Sequence, residues 1–526
     1  MRAPVADLRW QVRHRGHLVL ADLRTLPVAI PASALCGGAL TDVPGADAFA
    51  VAIGQREGRC AADGNATRAA RELGVDLAEA LTRHQVTGEV GVVTLPLGGD
   101  RAAPGALHLV GVGDASATGL RRAGAALARA AKGCTHLATS VAAGADDAGL
   151  RAFTEGLLLA AYAFARKSEP PKKAPLAQVD VVVESPQARR GAFDRALVTA
   201  RAVHFARDLA NTPSSEKDPA WLSAQAQRVA TAAGLRVRIR DEVELAAQGF
   251  GGIVAVGQGS ARPPRLIELA YHPNGSTGRT PHVVLVGKGI TFDTGGLSLK
   301  PREAMAAMKT DMAAGGAVIA VLAALGDLGV GVRVTGLVPA AENMPGASAY
   351  RPGDVVRHYG GTTSEVFNTD AEGRMVLADA LAYADRELDP DVLVDVATLT
   401  GAASLGLGRR HAALFTAEQD LAHSLLEASR DCGERVWRLP LVEDYRPSLD
   451  SEVADLAHIS RDPNVSGGAI VAALFLREFV GSRRWVHLDI AGPARADADE
   501  HEVVKGATGF GVRLLLRWLE TTPLSA

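Results

Sequence analysis

The stretch GKGITFDTGGLSLKP, residues 287–301, follows the apolar run Val283-Val284-Leu285-Val286, which reads as a buried strand. A lone lysine at the end of such a strand would ordinarily snorkel to water along its aliphatic stem. Here Lys288 is followed, within a glycine-rich turn, by Asp293 and Lys300. Charged groups are therefore concentrated where the backbone is most permissive. Working outward, apolar runs at 266–270, 332–338, 392–398 and 486–490 read as strands, and 313–328 and 375–388 read as helices. This alternation predicts an α/β fold with a central, mostly buried mixed sheet flanked by helices. Ligands in such sheets bind beyond the strand carboxyl ends, which is where Lys288 and Asp293 fall.

The chain has 526 residues, 47% hydrophobic and 22% charged, enough for two domains and a sizeable core. Its first half carries strand patterns at 91–95 and 106–112, an Ala-rich helical stretch at 119–132 and a charged, proline-rich linker at 166–175. A strand at 179–183 and a helix at 188–209, stopped by Asn211-Thr212-Pro213, come next. The organisation predicts a smaller N-terminal α/β domain over 1–187 and a larger C-terminal α/β domain over 188–526, which begins with a linking helix. A formal net charge of −3 argues against nucleic acid or an anionic membrane as partner. Cys36, Cys60, Cys134 and Cys432 lack CxxC spacing and read as reduced thiols of a cytoplasmic protein. No continuous apolar segment follows Arg2, Arg9, Arg13 and Arg15, so neither a secretory signal nor a membrane span is expected.

Acidic residues recur at comparable junctions. Asp311 opens a helical run, and Asp370 and Glu372 stand two apart just before another. An extended backbone would put those two on one face, and a helix N-terminus favours anions. If Asp293, Asp311, Asp370 and Glu372 converge, four negative charges need counter-cations. Two divalent ions would balance them. Carboxylates suit Mg²⁺ and Mn²⁺, and Zn²⁺ or Co²⁺ where a nitrogen joins. Lys288 is the nitrogen candidate, as a neutral amine, because burial and a nearby cation both lower its pKa. Taken singly, Asp370 or Glu372 would be an ordinary cap or turn residue. Gly287-Lys288-Gly289 is not a phosphate loop, since position 282 is His and no Ser or Thr follows the lysine. The fourteen histidines include no HExxH pair. His487, inside an apolar run, reads as a hydrogen-bonded core residue.

Segments 287–301, 308–312 and 368–384 (NTDAEGRMVLADALAYA), with 394–402 (VDVATLTGA), 472–480 (AALFLREFV), 485–492 (WVHLDIAG) and 505–513 (KGATGFGVR), resemble the signatures of the leucyl aminopeptidases, also called cytosol aminopeptidases. The resemblance covers roughly 201–520. It implies a metallo-exopeptidase that releases N-terminal residues, leucine-like preferred, from peptides with a free N-terminus, through a hydroxide bridging two divalent ions, Mn²⁺ or Zn²⁺. Lys288, Asp293, Asp311 and Glu372 match the ligands of one ion, and Asp293, Asp370 and Glu372 those of the other. Lys300 matches the catalytic lysine, which stays protonated. Arg374 matches the arginine that holds a bicarbonate acting as general base, and Met308 lines the pocket for the first side chain. The family further implies a homohexamer in the cytoplasm. Met375, Thr362 and Ala314-Gly315-Gly316 depart from the usual pattern without removing a ligand. Some relatives bind DNA or serve as structural proteins with weak peptidase activity. The near-neutral charge and the complete ligand set argue against that second class here.

Overall fold

The computed structural model describes residues 26, 28–56, 59–97 and 105–521; Arg2, Arg9, Arg13 and Arg15 lie outside them. Two compact units divide between Leu197 and Val198, with the described residues 26, 28 and 29 belonging to the second. The division falls inside the helix Pro186–Asn211.

In the first unit the expected strands appear as Gly91–Leu97, Gly105–Gly111 and Gln178–Val182, and the expected helix as Ala117–Ala130. Among the described residues they join a seven-stranded sheet. Its order is Ala32–Cys36, Gln178–Val182, His136–Thr139, Ala48–Arg56, Gly105–Gly111, Gly91–Leu97, with Arg59–Ala62 paired on Ala48–Arg56. Residues 166–175 contribute no strand or helix, as their prolines and charges require.

The second unit is built on a nine-stranded mixed sheet among the described residues. The order is Arg435–Arg438, His411–Phe415, Arg484–Asp489, Val392–Ala397, His282–Gly287, Arg333–Asn343, Arg265–Tyr271, Arg236–Arg240. The central strands Arg484–Asp489, Val392–Ala397, His282–Gly287 and Arg333–Asn343 run parallel to one another. The last three are buried almost throughout, which is why they read as unbroken apolar runs instead of alternating ones. Four strands of this sheet were not expected: Arg236–Arg240, His411–Phe415, Arg435–Arg438 and one inside the glycine-rich stretch. Within the glycine-rich stretch, Gly289–Asp293 pairs in parallel with the far end of Arg333–Asn343, with a register irregularity between Ile290 and Phe292. The long partner strand outlasts His282–Gly287, so the chain makes one break at Lys288 and resumes pairing.

Two helices cover the central strands. Ala313–Leu328 is buried on nearly all sides and ends at the left-handed Gly329. The segment Arg302–Leu328 is long and apolar enough to cross a membrane, yet 89% of its most apolar window is buried in this fold, as suits the core helix of a globular domain. The helix Glu372–Tyr383 is also buried along its length and continues as a π-turn, Ala384–Leu388.

Asp379 fastens that second helix to its surroundings. The carboxylate is fully buried and accepts from Ile253 N (2.8 Å), Tyr359 N (3.0 Å) and His358 Nδ1 (3.1 Å). These donors come from separate segments, so one carboxylate aligns the helix Gly251–Gly257 and the loop 358–361 on it. Replacing Asp379 by Ala would strand three buried donors. We expect a stability loss of roughly 3–5 kcal/mol, read as a lowered melting temperature of this unit by calorimetry.

Candidate active site

Lys288 occupies the break between the two strands. Its backbone N–H donates to Val396 O (3.0 Å) and its carbonyl accepts from Gly315 N (2.8 Å). The lysine is thereby pinned between a neighbouring strand and the first turn of Ala313–Leu328. Its side chain is 3% exposed and points along the sheet end toward the start of Glu372–Tyr383. Room for it exists because residue 373 is glycine: a Cβ there would lie 2.7 Å from both Lys288 Cε and Nζ.

Lys288 Nζ lies 2.9 Å from Asp311 Oδ2 and 2.7 Å from Glu372 Oε1, and donates to Thr398 O at 3.0 Å. Lys300 Nζ pairs with Asp293 Oδ2 (2.8 Å) and with Asp370 Oδ1. One carboxylate oxygen each from Asp293, Asp370 and Glu372 fall within 4.8 Å of one another. The fold thus brings Lys288, Asp293, Lys300, Asp311, Asp370 and Glu372 into one cluster. Asp370 and Lys300 are its more accessible members, with side chains 32% and 14% exposed. Asp370 and Glu372 do not share an extended segment: Asp370 sits in a turn and Glu372 is the first residue of the helix, where the free N–H groups favour a carboxylate.

Arg374 is buried two residues farther along the helix. Its Nη1 donates to His458 O (2.8 Å), while its Nε has no hydrogen-bond partner. Burial draws its pKa down to about 10, against the opposing charges of Glu372 and Asp489. Met308 is half-buried in the turn Met308–Thr310, whose C-terminal cap is Asp311. His487 is a buried core residue, its Nδ1 2.5 Å from Asp395 Oδ1.

Several residues that hold the cluster in place were not singled out from sequence. Asn343 Nδ2 donates both to Asp293 Oδ1 (2.8 Å) and to Thr369 O (3.0 Å). Thr369 Oγ1 donates to Gly295 O (2.6 Å) and accepts from Ser298 N (2.8 Å), and Tyr350 OH donates to Thr369 O (2.8 Å). The two loops are laced together where Gly295 takes φ +87°, a conformation glycine adopts without strain. Thr398 Oγ1 donates to Asp311 Oδ1 (2.7 Å). Asp489 in turn accepts from Leu399 N, Thr400 N and Ala491 N, each at 3.1 Å. The available signal was polar residues directly after apolar strands, as in Asn343 after 333–341 and Thr398 after 392–397.

Burial pushes the carboxyls of Asp311 and Glu372 above the usual range, and that of Asp293 up to about 7. Without a cation, Lys288 does not follow the lowering expected from burial, whereas Lys300 stays protonated as expected. Burial disfavours the Lys288 ammonium, but Asp311, Glu372 and Asp293 outweigh it and carry the pKa above its ordinary value. Lys300 behaves alike, beside Asp293 and Glu372. A neutral Lys288 is therefore not a consequence of burial alone. It requires positive charge placed among the carboxylates. The cluster fits such charge: four carboxylates face two lysines, so the acids outnumber the ammonium groups that meet them. Hard oxygen donors in this number match divalent cations.

Residues 204–516 match the Cytosol aminopeptidase family, catalytic domain, and residues 52–170 match the same family's N-terminal domain. A probable cytosol aminopeptidase of Streptomyces avermitilis is 45% identical over 416 residues, covering 77% of this chain and 79% of that protein. One from Streptomyces griseus is 43% identical over 474 residues, covering 85% and 90%. Among solved structures, the bottromycin maturation enzyme BotP in complex with Mn superposes with TM-score 0.79 at 41% identity, covering 90% of this chain and 99% of that one. A mutant of tomato leucine aminopeptidase gives TM-score 0.81 at 32% identity, covering 94% and 98%. The two-domain α/β architecture expected from sequence is the one these relatives share, and the chain belongs to the cytosol aminopeptidase family, as a peptidase of the hydrolase class.

Proposed function

We propose that this aminopeptidase works with two divalent cations, Mn²⁺ or Zn²⁺, and prefers peptides beginning with leucine-like residues. The observation that carries this reading is the convergence of Asp293, Asp370 and Glu372 within 4.8 Å, with Lys288 Nζ lying between Asp311 and Glu372. In it, Lys288, Asp293, Asp311 and Glu372 hold one ion, and Asp293, Asp370 and Glu372 hold the other. When bound, such ions polarise a peptide carbonyl and make a water acidic enough to attack at neutral pH.

The chain's own residues supply the rest. Lys300, at the more open side of the cluster, keeps its ammonium and meets the negative charge that develops on the carbonyl oxygen. Freed from Asp293 and Asp370 when those carboxylates turn to cations, it has N–H donors for that oxygen. Arg374 offers a buried Nε with no hydrogen-bond partner, which would hold a small anion such as bicarbonate; that anion would supply a general base. Met308 presents an apolar, deformable side chain to the first residue of the substrate. Asn343, Thr369 and Thr398 keep the carboxylates from rearranging between turnovers. We assign catalysis to 188–526 and treat 1–187 as the accessory domain. A cytoplasmic homohexamer is part of the same reading, carried by family membership.

The protein with Mn²⁺ is expected to cleave leucine p-nitroanilide, to lose activity to a chelator and to leave the N-acetylated substrate intact; chelator-resistant cleavage would refute the metal dependence. Asp293→Ala should abolish both Mn²⁺ binding, measured by calorimetry, and cleavage. Lys300→Met should retain Mn²⁺ yet lower kcat by about 10²–10³-fold, the loss typical of one electrostatic donor, roughly 2.7–4 kcal/mol. Gly373→Ala, which drives a methyl into Lys288, should weaken Mn²⁺ binding in the same titration while leaving the circular dichroism spectrum unchanged.

A further inference from the structure

A lysine outside the carboxylate cluster joins the end of one helix to the turn that carries Met308 and Asp311. Lys217 is fully buried. Its Nζ donates to Ala210 O (2.9 Å), in the last turn of Pro186–Asn211, and to Lys309 O. Lys309 returns the contact: its own Nζ donates to Asn211 O (2.9 Å). The final carbonyls of a helix have no partner inside it, and lysines near that end satisfy them and meet the dipole favourably. Two reciprocal lysine contacts therefore clamp the turn Met308–Thr310 onto the helix end.

The turn and Asp311 are hydrogen-bonded into one unit. Asp311 N donates to Met308 O (3.1 Å), and Thr310 Oγ1 donates to Ala307 O (2.7 Å). Across the site, Thr398 Oγ1 holds Asp311 Oδ1. Asp311 is thus gripped from two sides, by Thr398 at the carboxylate and by the lysine clamp through the backbone. A fully buried lysine facing carbonyls is an expensive way to fill space, and an apolar side chain would serve packing alone. Burial and the Lys309 charge lower the Lys217 pKa to about 7, with Asp311 opposing. The clamp does not depend on that titration, because a neutral amine still has two N–H groups for its two carbonyl partners.

We propose that Lys217, together with Lys309, is a positioning residue that sets where Asp311 presents its carboxylate and Met308 its side chain. This rests on the assignment of Asp311 as a metal ligand and Met308 as a pocket residue. The test is calorimetric titration of the metal-free, full-length protein with Mn²⁺, alongside the melting temperature and steady-state kinetics. Lys217→Met, similar in length and without donors, is expected to weaken one of the two Mn²⁺ binding steps about 10–100-fold, the range for loss of an outer partner of a ligand. The other step should stay intact, the melting temperature should be retained, and KM for leucine p-nitroanilide should rise. Wild-type affinity at both steps would overturn the proposal, as would parallel loss of both steps with the melting temperature. Should Lys217→Met not fold, Lys309→Met, which removes only the outer contact, decides: selective weakening of one step supports the clamp and unchanged binding overturns it. Failure of the underlying assignment has its own signature, since Asp311→Asn would then leave both Mn²⁺ steps unaltered.

Discussion

Charge balance in a space withdrawn from water is the constraint on which this structure depends. Asp293, Asp311 and Glu372 are each at most 6% exposed at the side chain. None could remain ionised there alone. They persist as a set because Lys288 and Lys300 stand between them, each nitrogen facing two carboxylates. The excess of acid over base is what makes the cluster receptive to divalent cations. The same physics gives the two lysines different settings. Lys288 is enclosed and donates to a backbone carbonyl as well as facing its carboxylates, while Lys300 stands nearer solvent and pairs with the most accessible acid, Asp370.

A cluster of this kind would collapse into alternative pairings unless the backbone held each member. The grip comes from a second layer of neutral hydrogen bonds. Asn343 links the strand residue Asp293 to the loop before Asp370, and Thr398 links the strand Val392–Ala397 to Asp311. Asp489 secures the turn after Thr398 through backbone N–H groups. Neutral donors suit this role because they orient carboxylates without adding net charge. The reciprocal lysines at Ala210, Asn211 and Lys309 extend the same logic to the turn of Met308.

Much of this was legible along the chain. The strands at the centre of the sheet announce themselves because burial on both faces demands unbroken apolar runs. The acids stand out because they interrupt small-residue and apolar contexts at strand and helix ends. Less legible was the strand Gly289–Asp293, disguised by its glycines, which read as a turn. Its pairing depends on the length of Arg333–Asn343, a distant segment. The helix start at Glu372 was similarly hidden, because a local reading of Asp370 and Glu372 permits an extended backbone. The neutral state inferred for Lys288 invoked burial and a nearby cation, and left out the opposing pull of the carboxylates that face it in the folded chain.

By itself the sequence determined the fold class, through the periodicity of its apolar runs, and the family, through the resemblance of its signature segments; local residue chemistry singled out the acidic and basic residues as candidates. Only the tertiary structure decided which oxygen faces which nitrogen, which way each pKa moves, and which neutral residues hold the site. Those outcomes depend on distances between segments as far apart as Lys217 and Lys309, or Asn343 and Asp293. Coulombic and hydrogen-bond energies vary steeply with such distances, and one-dimensional spacing does not encode them.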